Sequence, residues 1–284
     1  MALLSLNTAY SQSSDPNFHI YIAFGQSNME GFPGLEEKDK NYENERFQVY
    51  ASVDFSELER QKGTWYTASA PLCRPNSGLS PADYFGRTLV ENLPENIKVG
   101  IVSVAVAGSK IELFQKDNFQ EYASTAPDWM EGIIKTYDGN PYQYLIDRAK
   151  EAQNKGVIKG ILLHQGESNT GDEEWPEKVK GIYNNLLEDL NLNSDEVPLL
   201  AGEVVHEDQQ GACASMNEII GALPQTIPNS YVISSSGAPA RRDRLHFTPE
   251  GYRILGTRYA VQILKLMGYD RENIKLPENV SEIK

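Results

Sequence analysis

The chain has 284 residues, with 26 basic against 40 acidic side chains and a formal net charge of −14; hydrophobic residues make up 40% and aromatics 10%. Such a composition buries a sizeable core and excludes wholesale disorder. The charge repels phosphate backbones and anionic membrane surfaces, so nucleic acid is not an expected partner, and no apolar stretch reaches the ~20 residues that a membrane span needs.

Residues 1–17 form an N-terminal extension. Its opening, MALLSLNTAYSQ, has an apolar patch followed by small and polar residues but no basic start. It reads as the remnant of an export signal, so a secreted or periplasmic protein is expected, with a cytoplasmic one as the alternative. The run His19-Ile20-Tyr21-Ile22-Ala23-Phe24 is β-rich and ends at Gly25, as a buried strand feeding a functional loop would, with Ser27 just past its end. Between about residues 31 and 78, charges, aromatics and turn residues mix without period. This predicts a long insertion with little regular structure, of the kind that shapes a cleft.

Ser80-Pro81-Ala82-Asp83 combines a cap candidate, a first-turn proline and an early acid, opening a helix to about Asn92. Lys98 to Val106 is apolar on both faces, the pattern of a central parallel strand, and leads to Gly108. The alternation continues as helix (about Tyr142 to Asn154), strand (Gly160 to His164), helix (Pro176 to Asn191), strand (Pro198 to Val205), helix (about Cys213 to Leu223) and strand (Tyr231 to Ser235). A last helix, capped by Thr248 with Pro249 at its first position, carries Tyr252, Leu255, Tyr259, Ile263 and Leu266 as a core-facing stripe. Residues 269–284 read as a charged, solvated extension. Repeated βαβ units in a single domain over 18–268 imply an α/β fold, a three-layer α/β/α sandwich on a central parallel sheet, with its ligand site at the strands' carboxyl ends.

Cys73 and Cys213 lie far apart without ligand or redox spacing, and packed thiols are expected rather than a bridge. The four histidines show no metal-ligand spacing, His206-Glu207-Asp208 reads as a solvated polar loop, and neither metal nor cofactor is called for.

Three unusual strand-end loops would converge at a switch-point site: Gly25-Gln26-Ser27-Asn28-Met29, Gly108-Ser109-Lys110 and His164-Gln165-Gly166-Glu167-Ser168. A fourth, Asp243-Arg244-Leu245-His246, precedes the last helix and is spaced so that the carboxylate folds back onto the imidazole. Acyl transfer needs an activated hydroxyl, a base, an acid to orient the base, and donors for the developing oxyanion. Ser27, His246 and Asp243 supply the first three. The order Ser, Asp, His also suits α/β-hydrolases, but their elbow demands a glycine where Met29 stands.

These blocks resemble the SGNH hydrolases over most of the chain, and within them the sialate O-acetylesterase-like branch that includes the acetyl xylan esterases of carbohydrate esterase family six. The G-Q-S-N-M form at Gly25–Met29 is specific to that branch; Asp243 to His246 is similar to the family's D-x-x-H. The resemblance implies a flavodoxin-like fold and a catalytic set of Ser27, Asp243 and His246. It also implies an oxyanion hole from Ser27, Gly108 and Gln165 of the H-Q-G-E block. Glu167 is kept as an alternative or second acid, or as scaffold, and Gln26, Asn28, Ser109 and Asn169 as cleft-lining. The implied reaction removes acetyl groups from carbohydrate through an acetyl-enzyme, on plant-type polysaccharide or oligosaccharide. Sialate O-acetyl esters and general short-chain esters or thioesters are the alternatives. A non-catalytic carbohydrate-binding protein would predict loss of the catalytic residue types, which are all retained here. The aromatics of the insertion, Phe32, Tyr42, Phe47, Tyr50, Phe55, Trp65 and Tyr66, serve either as stacking faces for sugar rings or as a small core. An acetylated carbohydrate is thus the expected partner; the sequence carries no signal of oligomeric state.

Overall fold

Alternate residues of a strand point to opposite faces, so a strand at the centre of an α/β/α sandwich is apolar on both. The first strand, β1 (Phe18–Gly25), behaves this way: Ile20, Ile22 and Phe24 join one core, and Tyr21 and Ala23 the other. The computed structural model describes residues 14–32, 34–277 and 280; the residues on which the export signal was read, 1–12, lie outside them. With β2 (Phe47–Tyr50), β3 (Trp65–Thr67), β4 (Lys98–Ala105), β5 (Val157–His164), β6 (Leu199–Gly202) and β7 (Ser230–Ile233), β1 forms a seven-stranded sheet ordered β3-β2-β4-β1-β5-β6-β7. Every neighbouring pair is parallel except β2 and β3.

Helix α1 (Pro81–Asn92) and the C-terminal α6 (Pro249–Leu266) cover one face, packed with Tyr21, Phe85, Leu89, Ile101 and Tyr259. The other face is covered by α3 (Pro141–Gln153), α4 (Trp175–Asp189) and the short α5 (Met216–Gly221), with Phe24, Val104, Leu145 and Leu186 between. A further helix, α2 (Asp128–Thr136), lies between β4 and α3. This is the expected α/β sandwich. Chain order reverses at β1, which has β4 on one side and β5 on the other, and such switch points open a crevice beyond the strand ends. Gly25 is paired with both Ala105 and His164, so the loops carrying Ser27, Gly108 and Gln165 leave the sheet at the same level.

Several expectations are corrected. The supposed irregular insertion contains β2 and β3, which extend the sheet at its edge; at four and three residues they are too short to show a period. β6 stops at Gly202, short of Val205, and α5 occupies only the middle of its expected span. Thr248 caps α6, its hydroxyl accepting Gly251 N–H at 3.2 Å, whereas Ser80 precedes α1 without a side-chain cap bond. Leu266 is 42% exposed rather than core. The charged tail is not wholly solvated: Ile274 is buried, and Asn92 grips Lys275 through both its amide atoms, at 2.7 and 2.9 Å. Cys73 and Cys213 are both free.

Candidate active site

Gly25 closes β1 at φ +145°, and a Cβ there would lie 2.1 Å from the His164 carbonyl oxygen, so only glycine lets the chain cross β5 so closely. Gln26 N–H then donates to that same carbonyl at 3.1 Å, and a single helical turn, Ser27–Glu30, begins. From this turn Ser27 Oγ stands 2.9 Å from His246 Nε2, and His246 Nδ1 stands 2.8 Å from Asp243 Oδ2. Asp243 Oδ1 accepts the N–H groups of Leu245 and His246, each at 3.0 Å. Burial alone would raise the Asp243 pKa, but these N–H groups and the imidazole outweigh it and hold the carboxyl below its ordinary range. An ionised Asp243 keeps the proton on Nδ1, which leaves the Nε2 lone pair for the serine hydroxyl. Phe32 lies against the imidazole, with ring centres 4.2 Å apart.

Asn28 ties this arrangement together. Its Oδ1 accepts the Tyr252 hydroxyl at 2.7 Å; its Nδ2 donates to Leu245 O at 2.9 Å and to Glu167 Oε1 at 2.5 Å. Glu167 therefore contacts Asn28 and not His246, and the carboxylate on the imidazole is that of Asp243. Although Glu167 is part-exposed as a residue, its Oε2 is sealed without a partner, and burial pushes the carboxyl up to about 7. Behind Ser27, the buried Glu30 pairs with Arg74 and accepts Ala107 N–H at 2.8 Å, pinning the loop that carries Gly108. Burial raises the Glu30 pKa against the pull of Arg74 and that N–H. A cleft of about 550 Å³ opens over these groups, lined among others by Gln26, Ser27, Phe32, Arg74, Gly108 and Trp129.

Residues 17–265 match the family model described as carbohydrate esterase, sialic acid-specific acetylesterase. The chain belongs to this family. It is accordingly an ester hydrolase that removes acetyl groups from carbohydrate, on the fold of the SGNH hydrolases. Among solved structures, this esterase is similar to a protein from Arabidopsis thaliana, at 22% identity and TM-score 0.67 over 88% of this chain and 99% of that one. It is also similar to NanS, at 16% and 0.63 over 89% and 98%, and to a carbohydrate acetylesterase from Xanthomonas citri, at 17% and 0.57 over 85% and 54%.

The esterase's polar loops depart from expectation at four residues. Gln165 was expected to offer its amide to an oxyanion. Its Oε1 instead takes the indole N–H of Trp175, which can only donate, and this turns Nε2 toward Asn169 Oδ1 at 2.7 Å, Gln26 Oε1 at 3.1 Å and Ser109 O at 3.3 Å. Its amide is fully committed, and it lies buried behind Gln26. Of the four expected cleft-lining residues only Gln26 reaches the cleft. Asn28 is buried in the network above; Ser109 is buried with its carbonyl facing Gln165; Asn169 is buried holding Ile111 N–H, Glu112 and Asp172. All three are buried in the loops behind the cleft rather than facing it. His206-Glu207-Asp208 sits outside the cleft, with Asp208 bonded to Ser236 and Gly237.

Reading the sequence did not single out Glu30, Arg74 or Trp129. Glu30 was within reach, since it directly follows the G-Q-S-N-M block. Arg74 lies 44 residues from the Glu30 it pairs with, and nothing local marks that contact.

Proposed function

We propose that this esterase hydrolyses acetyl esters of a neutral, plant-type polysaccharide or oligosaccharide, with Ser27 as nucleophile, His246 as general base and acid, and Asp243 as the orienter of His246. The observation that carries the reading is the unbroken hydrogen-bonded chain Ser27–His246–Asp243, 2.9 and 2.8 Å long, at the floor of a cleft. Ser27 Oγ attacks the acetyl carbonyl carbon as its proton passes to His246 Nε2. The bond to the sugar oxygen then breaks as His246 returns the proton to it, leaving acetyl-Ser27. Water, deprotonated by His246, releases acetate and restores the serine.

The developing oxyanion is held by the backbone N–H groups of Ser27 and Gly108. Both residues line the cleft, and neither N–H has an acceptor among the described residues. Gln26 is the third donor in this reading, in place of Gln165. Its Oε1 accepts from Gln165 Nε2 and, at 3.4 Å, from the N–H groups of Gly166 and Ser168; backbone N–H groups only donate, so its own Nε2 is turned away from them. Gln165 is then the residue that positions Gln26, and Glu167 the one that positions Asn28.

For the alcohol, the charges around the cleft favour a neutral glycan. The arginine lining it, Arg74, is tied to Glu30 and to Pro75 O. A sialate carboxylate would meet this balance without an uncommitted cation among the described lining residues. A second reading, O-acetyl sialate, has the family's own description behind it. Release of acetate from acetylated xylo-oligosaccharide and O-acetyl sialic acid, and of the phenol from an aryl acetate and an aryl butyrate, separates them. The neutral glycan is expected to have the highest kcat/KM; a preference for O-acetyl sialate would install the second reading, and a preference for the aryl butyrate would make the protein a general esterase.

A further inference from the structure

Among the described residues the large hydrophobic side chains that stand most exposed are Trp129, Leu266 and Met267, at 57%, 42% and 38%. Leu266 and Met267 end α6 at the amino-terminal side of the sheet; Trp129 lies on the rim of the active-site cleft. Its exposure follows from how α2 docks. Met130 and Ile134, one turn apart on one helix face, are buried at 3% and 4%, and the residue before Met130 is rotated out of that face toward the cleft. The indole is nevertheless held in place. Gly108 has φ +69°, and a Cβ on it would come within 2.5 Å of the indole Cη2, so the ring edge abuts the turn whose N–H faces the proposed oxyanion.

An esterified sugar has its ring within a bond or two of the scissile carbonyl. A rigid, ring-sized aromatic surface adjoining Gly108 on the cleft rim is within reach of that sugar ring. We propose that Trp129 is the platform on which the pyranose carrying the acetyl group stacks, through the apolar C–H face of a neutral sugar against the electron-rich indole. Exposed aromatic surface beside a cleft is a recurrent mark of a binding site, and Trp is suited to it because its two-torsion side chain loses little freedom when a ligand lands. The inference rests on the carbohydrate-esterase reading for its substrate and names the residue that reads the sugar.

The test separates the platform from that reading. In a Ser27→Ala background, which removes turnover, the protein is titrated with acetylated xylo-oligosaccharide and with the same oligosaccharide deacetylated, following tryptophan fluorescence and heat. Both ligands are expected to perturb the fluorescence. Adding Trp129→Ala should weaken both by about tenfold, the upper range for one aromatic contact, and Trp129→Phe should restore part of the loss. In the otherwise native enzyme, Trp129→Ala should lower kcat/KM for the acetylated oligosaccharide several-fold more than for an aryl acetate. Equal losses on the two substrates would reduce Trp129 to a prop for the Gly108 turn and overturn the proposal, as would Trp129-independent binding of both oligosaccharides or no binding at all. Binding that depends on Trp129, in an enzyme that releases acetate from no glycan, would uphold the platform and overturn the substrate reading instead.

Discussion

Glu167 offers a measurement in which the site's electrostatics appear as stability. Its carboxyl is moved from an ordinary 4.5 to about 7 by burial, with Oε1 on the Asn28 amide and Oε2 sealed without a partner. A carboxyl that stays protonated in the native state binds a proton that the unfolded chain gives up above about pH 4.5, so this group's contribution to stability is full below that pH. It is lost as pH rises through about 7. At about 1.4 kcal/mol per pH unit, the 2.5-unit gap between 4.5 and about 7 sets an upper limit of roughly 3–4 kcal/mol. Glu167→Gln keeps an oxygen for Asn28 and cannot ionise. It should match the wild type near pH 5 and become progressively more stable by up to roughly 3–4 kcal/mol at pH 8 and above, a difference of roughly 5 °C or more in melting temperature. Urea and thermal unfolding of both proteins from pH 5 to pH 9 measure it. Parallel pH dependences for the two would refute the reasoning and show that water reaches the carboxylate.

Other outcomes follow from the same geometry. Ser27→Ala and His246→Ala should each lower kcat on the order of 10⁴–10⁶-fold, and the double variant little further, because the two act as one unit; additive losses in single-turnover assays would contradict this. Asp243→Asn should cost on the order of 10²–10⁴-fold in kcat and more than Glu167→Gln at neutral pH, and the reverse ranking would hand the orienting role to Glu167. Gln26→Ala should reduce kcat by about 10²–10³-fold with little change in KM if its amide faces the oxyanion, while an effect confined to KM would make it a substrate-binding residue.

What was legible in the sequence followed the length and burial of each element. β1, β4 and β5 are eight residues each, nearly all buried, and announce themselves by composition. β2 and β3 give no such signal because four and three residues complete too few alternations, and their places in the sheet come from pairing, β2 with β4 and β3 with β2, rather than from local pattern. α2 was missed because it buries little beyond Met130 and Ile134, so its sequence lacks a continuous apolar stripe. The members of the proposed triad could be read because Ser27 lies in a short strand-end block and Asp243 and His246 share a short block before α6, where Asp243 reaches His246 within one turn. The direction of the Gln165 amide could not, since Trp175, ten residues on, decides it, and no motif encodes which atom an indole N–H will meet.

The block around Ser27 makes sense once each residue's partner is known. Gly25 lets the chain pass over β5, Gln26 seats on the β5 loop, Met29 is buried in the core, and Glu30 clamps the β4 loop through Ala107. Asn28 holds the loop before α6 through Leu245 and α6 itself through Tyr252. One helical turn thus links the ends of β4, β1 and β5 with the segment bearing His246, and successive residues of a helix, about 100° apart, can face all of them at once. Ser27 itself needs no packing of its own. Its hydroxyl is positioned because Gln26, Asn28 and Glu30 are fixed to the surrounding loops and Met29 to the core, so a change at Asn28 or Glu30 should disturb the Ser27–His246 distance.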